Sequence, residues 1–170
     1  MRFVWVVAVD QAFLSCPKYL PDHYAALPGA GVVARGPRTA GPGAPPALAA
    51  WLRRADSFFV GSSNGAQALD TAYRGGPTGF VRLDTDGTLL VPDYVGNSMY
   101  NSLGNFALCD AAGLLFLDPA TGRALQLTGR VEVLWSGAGP VAATGSTGRY
   151  WRFTPAAWAE APLPTPLPFR

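Results

Sequence analysis

The chain has 170 residues, enough for one domain with a substantial core and short of what two usually need. Apolar residues make up 49% and charged residues 14%, so the surface is sparsely charged and leaves room for a subunit interface, while 20 glycines and 16 prolines argue against a chain of long helices. The formal charge of +2 comes almost wholly from arginine, Lys18 being the only lysine, and no basic cluster is dense enough for a duplex-binding face, which argues against nucleic acid as a partner.

Met1 to Tyr24 reads as a strand followed by a short helical turn, "DQAFLSCPKYL". The opening "MRFVWVVAV" is too short an apolar run for an export signal, meets Asp10 at once and shows no small-residue cleavage site, so an inner strand is expected. No segment reaches the ~18 apolar residues that cross a bilayer. Cys16 and Cys109 lie far apart and fit no metal spacing; two free thiols in a reducing cytoplasm is the plainer reading. "LPGAGVVARGPRTAGPGAPP" has the composition of an irregular linker, which places a boundary between residues 1–45 and a main unit over residues 46–170. "PALAAWLRRAD" predicts a helix with Leu48, Trp51 and Leu52 on one face.

From Ser57 onward short apolar runs alternate with turn signals. "SFFVGSS" ends at Asn64-Gly65; "LDTAYRGG" and "GFVRLD" follow; Asp86-Gly87 turns the chain into "TLLVPDY"; and beyond an asparagine-rich stretch come "AGLLFLD", a turn at Thr121-Gly122, "ALQLTGRVEVLW" and "GRYWRFTP". Six or seven strands at this spacing predict an antiparallel barrel or sandwich. The tail "APLPTPLPFR" is too proline-rich for a helix or central strand and is expected to lie extended over a neighbour.

Two features could carry chemistry. In "PDYVGNSMYNSLGN", Met99, Leu103 and Phe106 share a helical face and Asn97 is a good N-cap, so a helix is expected from near Ser98. Its unpaired N–H groups and dipole make an anion site, with Asn97, Ser98, Asn101 and Ser102 as uncharged donors around it. The same pattern also fits an ordinary capped crossover helix. In "YRGGPTGF", Arg74 precedes two glycines inside a strand; its planar fork suits a phosphate, and the glycines would let another group approach the backbone. A bulge with Arg74 on the surface fits as well.

Other constellations fail. The single histidine, His23, falls in a surface turn, no pair of carboxylates has acid–base spacing, and no metal site or Walker- or Rossmann-type loop is evident. Redox chemistry would have to come from a bound cofactor.

Taken in order, "TAYRGGPTGFV", "LLVPDYVGNSMYNSLGN", "GLLFLD" and "TGRALQLTGRVEV" resemble the pyridoxamine 5′-phosphate oxidase-like family of FMN-binding split barrels, in its flavin-nucleotide-binding branch. The resemblance is strong over Ser57 to Trp135 and weak toward the C-terminus. It implies a mainly β fold, a six-stranded antiparallel split barrel with flanking helices, a homodimer with FMN at the interface, and an oxidoreductase with a nicotinamide or other small reductant as partner. The phosphate positions of the family match Arg74 and the turn Asn97-Ser98-Met99. Pro92 and Asp93 would lie along the flavin, Gly75 and Gly76 near the ribityl chain or ring, and Gln126 on the following long strand is a further neighbour. FMN is the implied cofactor, with the deazaflavin F420 as the lesser alternative. A non-catalytic flavin module, or the structural half of a two-barrel protein, stands as the alternative function.

The departures bear on substrate. The Arg-Lys pair of the true oxidases is replaced by Asn97-Ser98, their C-terminal Trp and Arg-x-His elements are not recognisable, and "CDA" at Cys109 to Ala111 stands where relatives often read "NPR". The vitamin B6 substrate therefore does not carry over. "VDQAFLSCPKYL" is similar to the link that joins two barrel-like halves in longer relatives, with Lys18 expected as a helix cap.

Overall fold

The computed structural model describes residues 6, 8–9, 36–66, 68–96 and 100–163. Along them the chain runs through β1 (Thr39–Pro42), α1 (Leu48–Arg54), β2 (Ser57–Ser63), β3 (Leu69–Gly75), β4 (Arg82–Leu83), β5 (Leu89–Pro92), α2 (Asn101–Leu108), β6 (Ala111–Asp118), β7 (Arg123–Leu134), a 3-10 turn (Val141–Thr144) and β8 (Tyr150–Pro162). Every strand pairing is antiparallel, in the order β3-β2-β6-β7-β8-β5-β4. β8 pairs with β7 along its length and shares its other edge between β5, at Tyr150–Phe153, and β1, at Ala157–Glu160.

Three predicted turns close the hairpins. Gly65, Gly87 and Gly122 adopt φ of 81°, 82° and 66°, which glycine takes without steric cost, and the Asn64 side chain gathers the amides of Ala66 and Ala68 at 2.9 and 3.2 Å. At Gly129 the ladder between β7 and β8 shifts register, and the room of a missing Cβ is filled by the Thr154 carbonyl and the Phe153 ring. A side chain there would push the two strands apart.

Alternation decides what each strand buries. Phe58, Val60, Leu114, Phe116, Leu125, Leu127, Trp151 and Phe153 face one side and form the core with Leu48, Trp51 and Leu52 of α1 and Leu103 and Phe106 of α2. Phe58 anchors it, with ring centroids 5.0 Å from Phe116 and 5.9 Å from Trp151. α1 is pinned at its middle by the Trp51 indole donating to Glu160 at 3.3 Å and at its C-terminal end by Arg54 donating to Asp118 at 3.0 Å. The opposite face of the sheet carries Phe59, Leu115, Gln126 and Ala159 in one cross-strand row.

The structure corrects several expectations. Thr39–Pro42, read as linker, is a strand, because the edge of β8 offers it a ladder that the loop-like composition does not forbid. β8 runs on through Ala161 and Pro162, where proline occupies the last strand position and costs little. "GFVRLD" yields only the two-residue β4, and the described residues hold eight strands. The N-terminal segment, including Cys16, Lys18 and His23, lies outside the described residues apart from Val6, Ala8 and Val9, which are exposed and in no strand. Among the described residues no helix is long and apolar enough to cross a membrane.

Candidate functional site

β3 and β5 end at one corner of the core, and α2 begins there. Arg74 sits directly across from Phe58 in the β2–β3 ladder, so its side chain leaves the strand on the core face. Two residues later, on the same face, the Cβ that Gly76 lacks would meet Phe80 Cγ and Tyr94 Cε2, each at 2.8 Å. The end of β3 is thus packed directly against the residue that follows Asp93, and Phe80 and Tyr94 form an aromatic wall over it, with centroids 6.1 Å apart.

Arg74 Nε is sealed from solvent and has no hydrogen-bond partner. Among the described residues no carboxylate lies within ion-pair distance of it. Burial pushes the guanidinium below its ordinary pKa, while Asp93 and then Asp70 pull it the other way. Both of these carboxylates are occupied elsewhere. Asp70 Oδ2 accepts from the Ser102 hydroxyl at 3.0 Å, which ties α2 to β3, and one turn on Asn105 ties α2 to β2 by donating to Ser62 at 3.0 Å. Asp93, 7% exposed, accepts from Arg149 Nε at 2.9 Å. That bond holds Arg149 above its ordinary pKa against the opposing effect of its own burial.

α2 starts at Asn101, not near Ser98. Tyr100 occupies the N-cap position with φ of 54°, a left-handed conformation through which a right-handed helix cannot pass. The helix closes its first turn with Gly104 N–H donating to the Tyr100 carbonyl at 2.7 Å, and no side chain caps it. Tyr100 is held by tertiary contact: its ring lies 5.1 Å from Arg149 Cζ.

The corner therefore brings together Arg74, Gly75, Gly76, Pro92, Asp93, Asn101 and Ser102 of the residues expected from the sequence. Asn97, Ser98 and Met99 lie outside the described residues. Gln126 is not part of this corner; it is exposed on the opposite face of the sheet, between Leu115 and Ala159.

A scan against protein-family models and a search of curated proteins find no match. Solved structures do match. A variant of HupZ from Group A Streptococcus, 14% identical, aligns with TM-score 0.53 over 65% of this chain and 93% of that one. A candidate pyridoxamine 5′-phosphate oxidase from Lactobacillus delbrueckii, 10% identical, aligns with TM-score 0.50 over 68% of this chain and 93% of that one.

The fold is the split barrel of pyridoxamine 5′-phosphate oxidase-like proteins. At such identities the likeness is one of backbone architecture.

Within this split barrel, sequence reasoning missed the aromatic wall of Phe80 and Tyr94 and three polar members of the corner. Asp70 sits in an ordinary strand pattern, and Arg149 and Tyr100 meet only because β8 pairs with β5. The sole local signal was Gly148, whose φ of 66° marks a constrained turn into Arg149. Among the described residues no group of three His, Cys, Asp or Glu could hold a metal.

Proposed function

We propose that this chain is an FMN-binding flavoprotein that acts as an oxidoreductase on a small molecule, assembled as a homodimer with the flavin at its interface. The observation that carries the reading is Arg74, a guanidinium drawn into a split-barrel core with a buried, unanswered N–H. A buried donor without a partner is costly, of order 1–3 kcal/mol, and is retained where a ligand completes it. A phosphate fits that vacancy: it is dianionic, and the planar fork meets two of its oxygens at once.

In this reading Arg74 takes the phosphate, and the first backbone N–H groups of α2, at Asn101, Ser102 and Leu103, add uncharged donors aligned with the helix dipole. Asn97, Ser98 and Met99 stay in this reading only as the phosphate positions that the family resemblance implies. The Ser102 hydroxyl serves as a tether, since its proton is given to Asp70. Pro92, Gly75 and Gly76, with the Phe80 and Tyr94 rings, wall the flavin and exclude water from it. Bound FMN supplies hydride and electron transfer at its ring; the protein supplies position and electrostatics. Gln126 meets a flavin only across the interface, when a second copy packs on the row Phe59, Leu115, Gln126 and Ala159.

The test is titration of purified protein with FMN, followed by flavin fluorescence and by bleaching with NAD(P)H under anaerobic conditions. Uptake in the micromolar range or tighter, weakened in Arg74→Ala, is the expected result. Protein that takes up no FMN overturns the reading.

A further inference from the structure

We propose that Arg149 is a positioning residue that keeps Asp93 off Arg74, so that the Arg74 guanidinium stays open to the anionic end of its ligand. The inference rests on the flavin-nucleotide reading above. A buried carboxylate needs a donor, and Asp93 has two guanidiniums in its field. It is bonded to Arg149 at 2.9 Å, while Arg74, whose cation feels the Asp93 charge, keeps a buried Nε with no partner. Left alone, the two opposite charges would close on each other and fill the anion site from within. The second carboxylate near Arg74 is restrained in the same way, by the Ser102 hydroxyl.

Arg149 is itself fixed from several directions. Its carbonyl accepts from Asp93 N–H at 3.0 Å, the neighbouring Thr147 hydroxyl donates to the Asp93 carbonyl at 2.5 Å, and Tyr100 lies beneath the guanidinium with its hydroxyl 3.5 Å from Nη2. Of the two non-glycine residues with positive φ among those described, Tyr100 at 54° packs against the Arg149 guanidinium, and Ser146 at 84° lies three residues before Arg149 on its own loop. Backbone strain of this kind persists where the surrounding contacts over-determine a geometry. Of the two, Tyr100 is the one that touches the Arg149 side chain.

FMN titration of four variants, read by quenching of flavin fluorescence and paired with melting curves of the ligand-free proteins, tests the inference. Arg149→Gln is expected to weaken FMN binding roughly tenfold, the scale of one charge-assisted hydrogen bond. Adding Asp93→Asn should restore affinity to near wild type, since an amide has no charge to spend on Arg74. Arg149→Lys should retain most of the affinity, and Asp93→Asn alone should bind FMN at least as tightly as wild type. A merely structural role for Arg149 would lower melting temperature and affinity together, with no restoration by Asp93→Asn. If Arg149→Gln does not fold, weaker binding by Asp93→Asn alone overturns the inference. An unchanged Arg149→Gln, or a loss that Asp93→Asn does not restore, overturns it while wild-type binding and Arg74 sensitivity leave the flavin reading standing. Wild-type protein that takes up no FMN overturns both.

Discussion

Replacing Arg74 by methionine should move stability and ligand affinity in opposite directions. Methionine keeps the unbranched stem and so most of the packing beside Phe58, at a repacking cost below about 1.5 kcal/mol. It removes an Nε–H that is buried without a partner, which relieves about 1–3 kcal/mol. It also removes the attraction of Asp93 and Asp70 for the cation, but burial is the larger influence on Arg74 and leaves its pKa below the ordinary value. The charge is thus a net burden on the ligand-free fold. Arg74→Met should leave the ligand-free protein unchanged or up to about 2 kcal/mol more stable, a rise of several degrees in melting temperature for a chain of this size. FMN affinity should fall by about 1.5–3 kcal/mol, roughly ten- to a hundredfold. Urea unfolding of the ligand-free variant and flavin titration measure the two quantities separately. Ligand-free protein destabilised by more than about 1 kcal/mol would mean that Arg74 serves Asp93 and Asp70 and is not held in reserve for a ligand.

Three further outcomes follow from the packing and the charges. Gly129→Ala sets a methyl against the Thr154 carbonyl and the Phe153 ring, and since a backbone atom cannot step aside, the loss should reach or exceed the ~3 kcal/mol typical of severe overpacking, seen as a collapse of the urea midpoint. Gly76→Ala crowds Phe80 and Tyr94, which are side chains and can shift; a loss of about 1–3 kcal/mol is expected, together with weaker FMN binding if these rings wall the flavin. Asp86 tests the acid limb: the Thr88 hydroxyl and amide donate to it at 2.7 and 3.0 Å, the hydroxyl bond foremost in lowering its pKa below 3.8. A lowered folded pKa gives stability that is present above the unfolded value and lost as pH falls through the folded one. The advantage of wild type over Asp86→Asn should therefore be full at pH 7 and shrink below about pH 4. A gap between their urea midpoints that stays constant with pH would exclude the charge as its cause.

Much of the fold was legible in local pattern. β2, β3, β6 and β7 stand where alternation placed them, and α1 buries Leu48, Trp51 and Leu52 as its spacing required. Leu103 and Phe106 face the core as predicted, although α2 begins later than its asparagines suggested. The misses share a cause. The second half of β8 is a strand because it pairs with β7, and β1 is a strand because that half offers its other edge, four residues of "TAGP" pairing with Ala157–Glu160; neither sequence carries a strand signal strong enough to show it alone. The late start of α2 depends on Tyr100, whose left-handed backbone is stabilised by Arg149, 49 residues away.

The sequence by itself determined the spacing of turns, the alternation that makes a β core, and an arginine set among glycines inside a strand. Those are short-range properties, read from period-two patterning and from the backbone freedom of Gly65, Gly87 and Gly122. Tertiary structure alone decided what that arginine experiences. Only when β3 pairs with β2, and β5 with β8, does the Arg74 Nε lose its water and stay unanswered, with Asp93 and Asp70 already engaged by Arg149 and Ser102. Burial and electrostatics depend on distances through space, and a sequence records only distances along the chain.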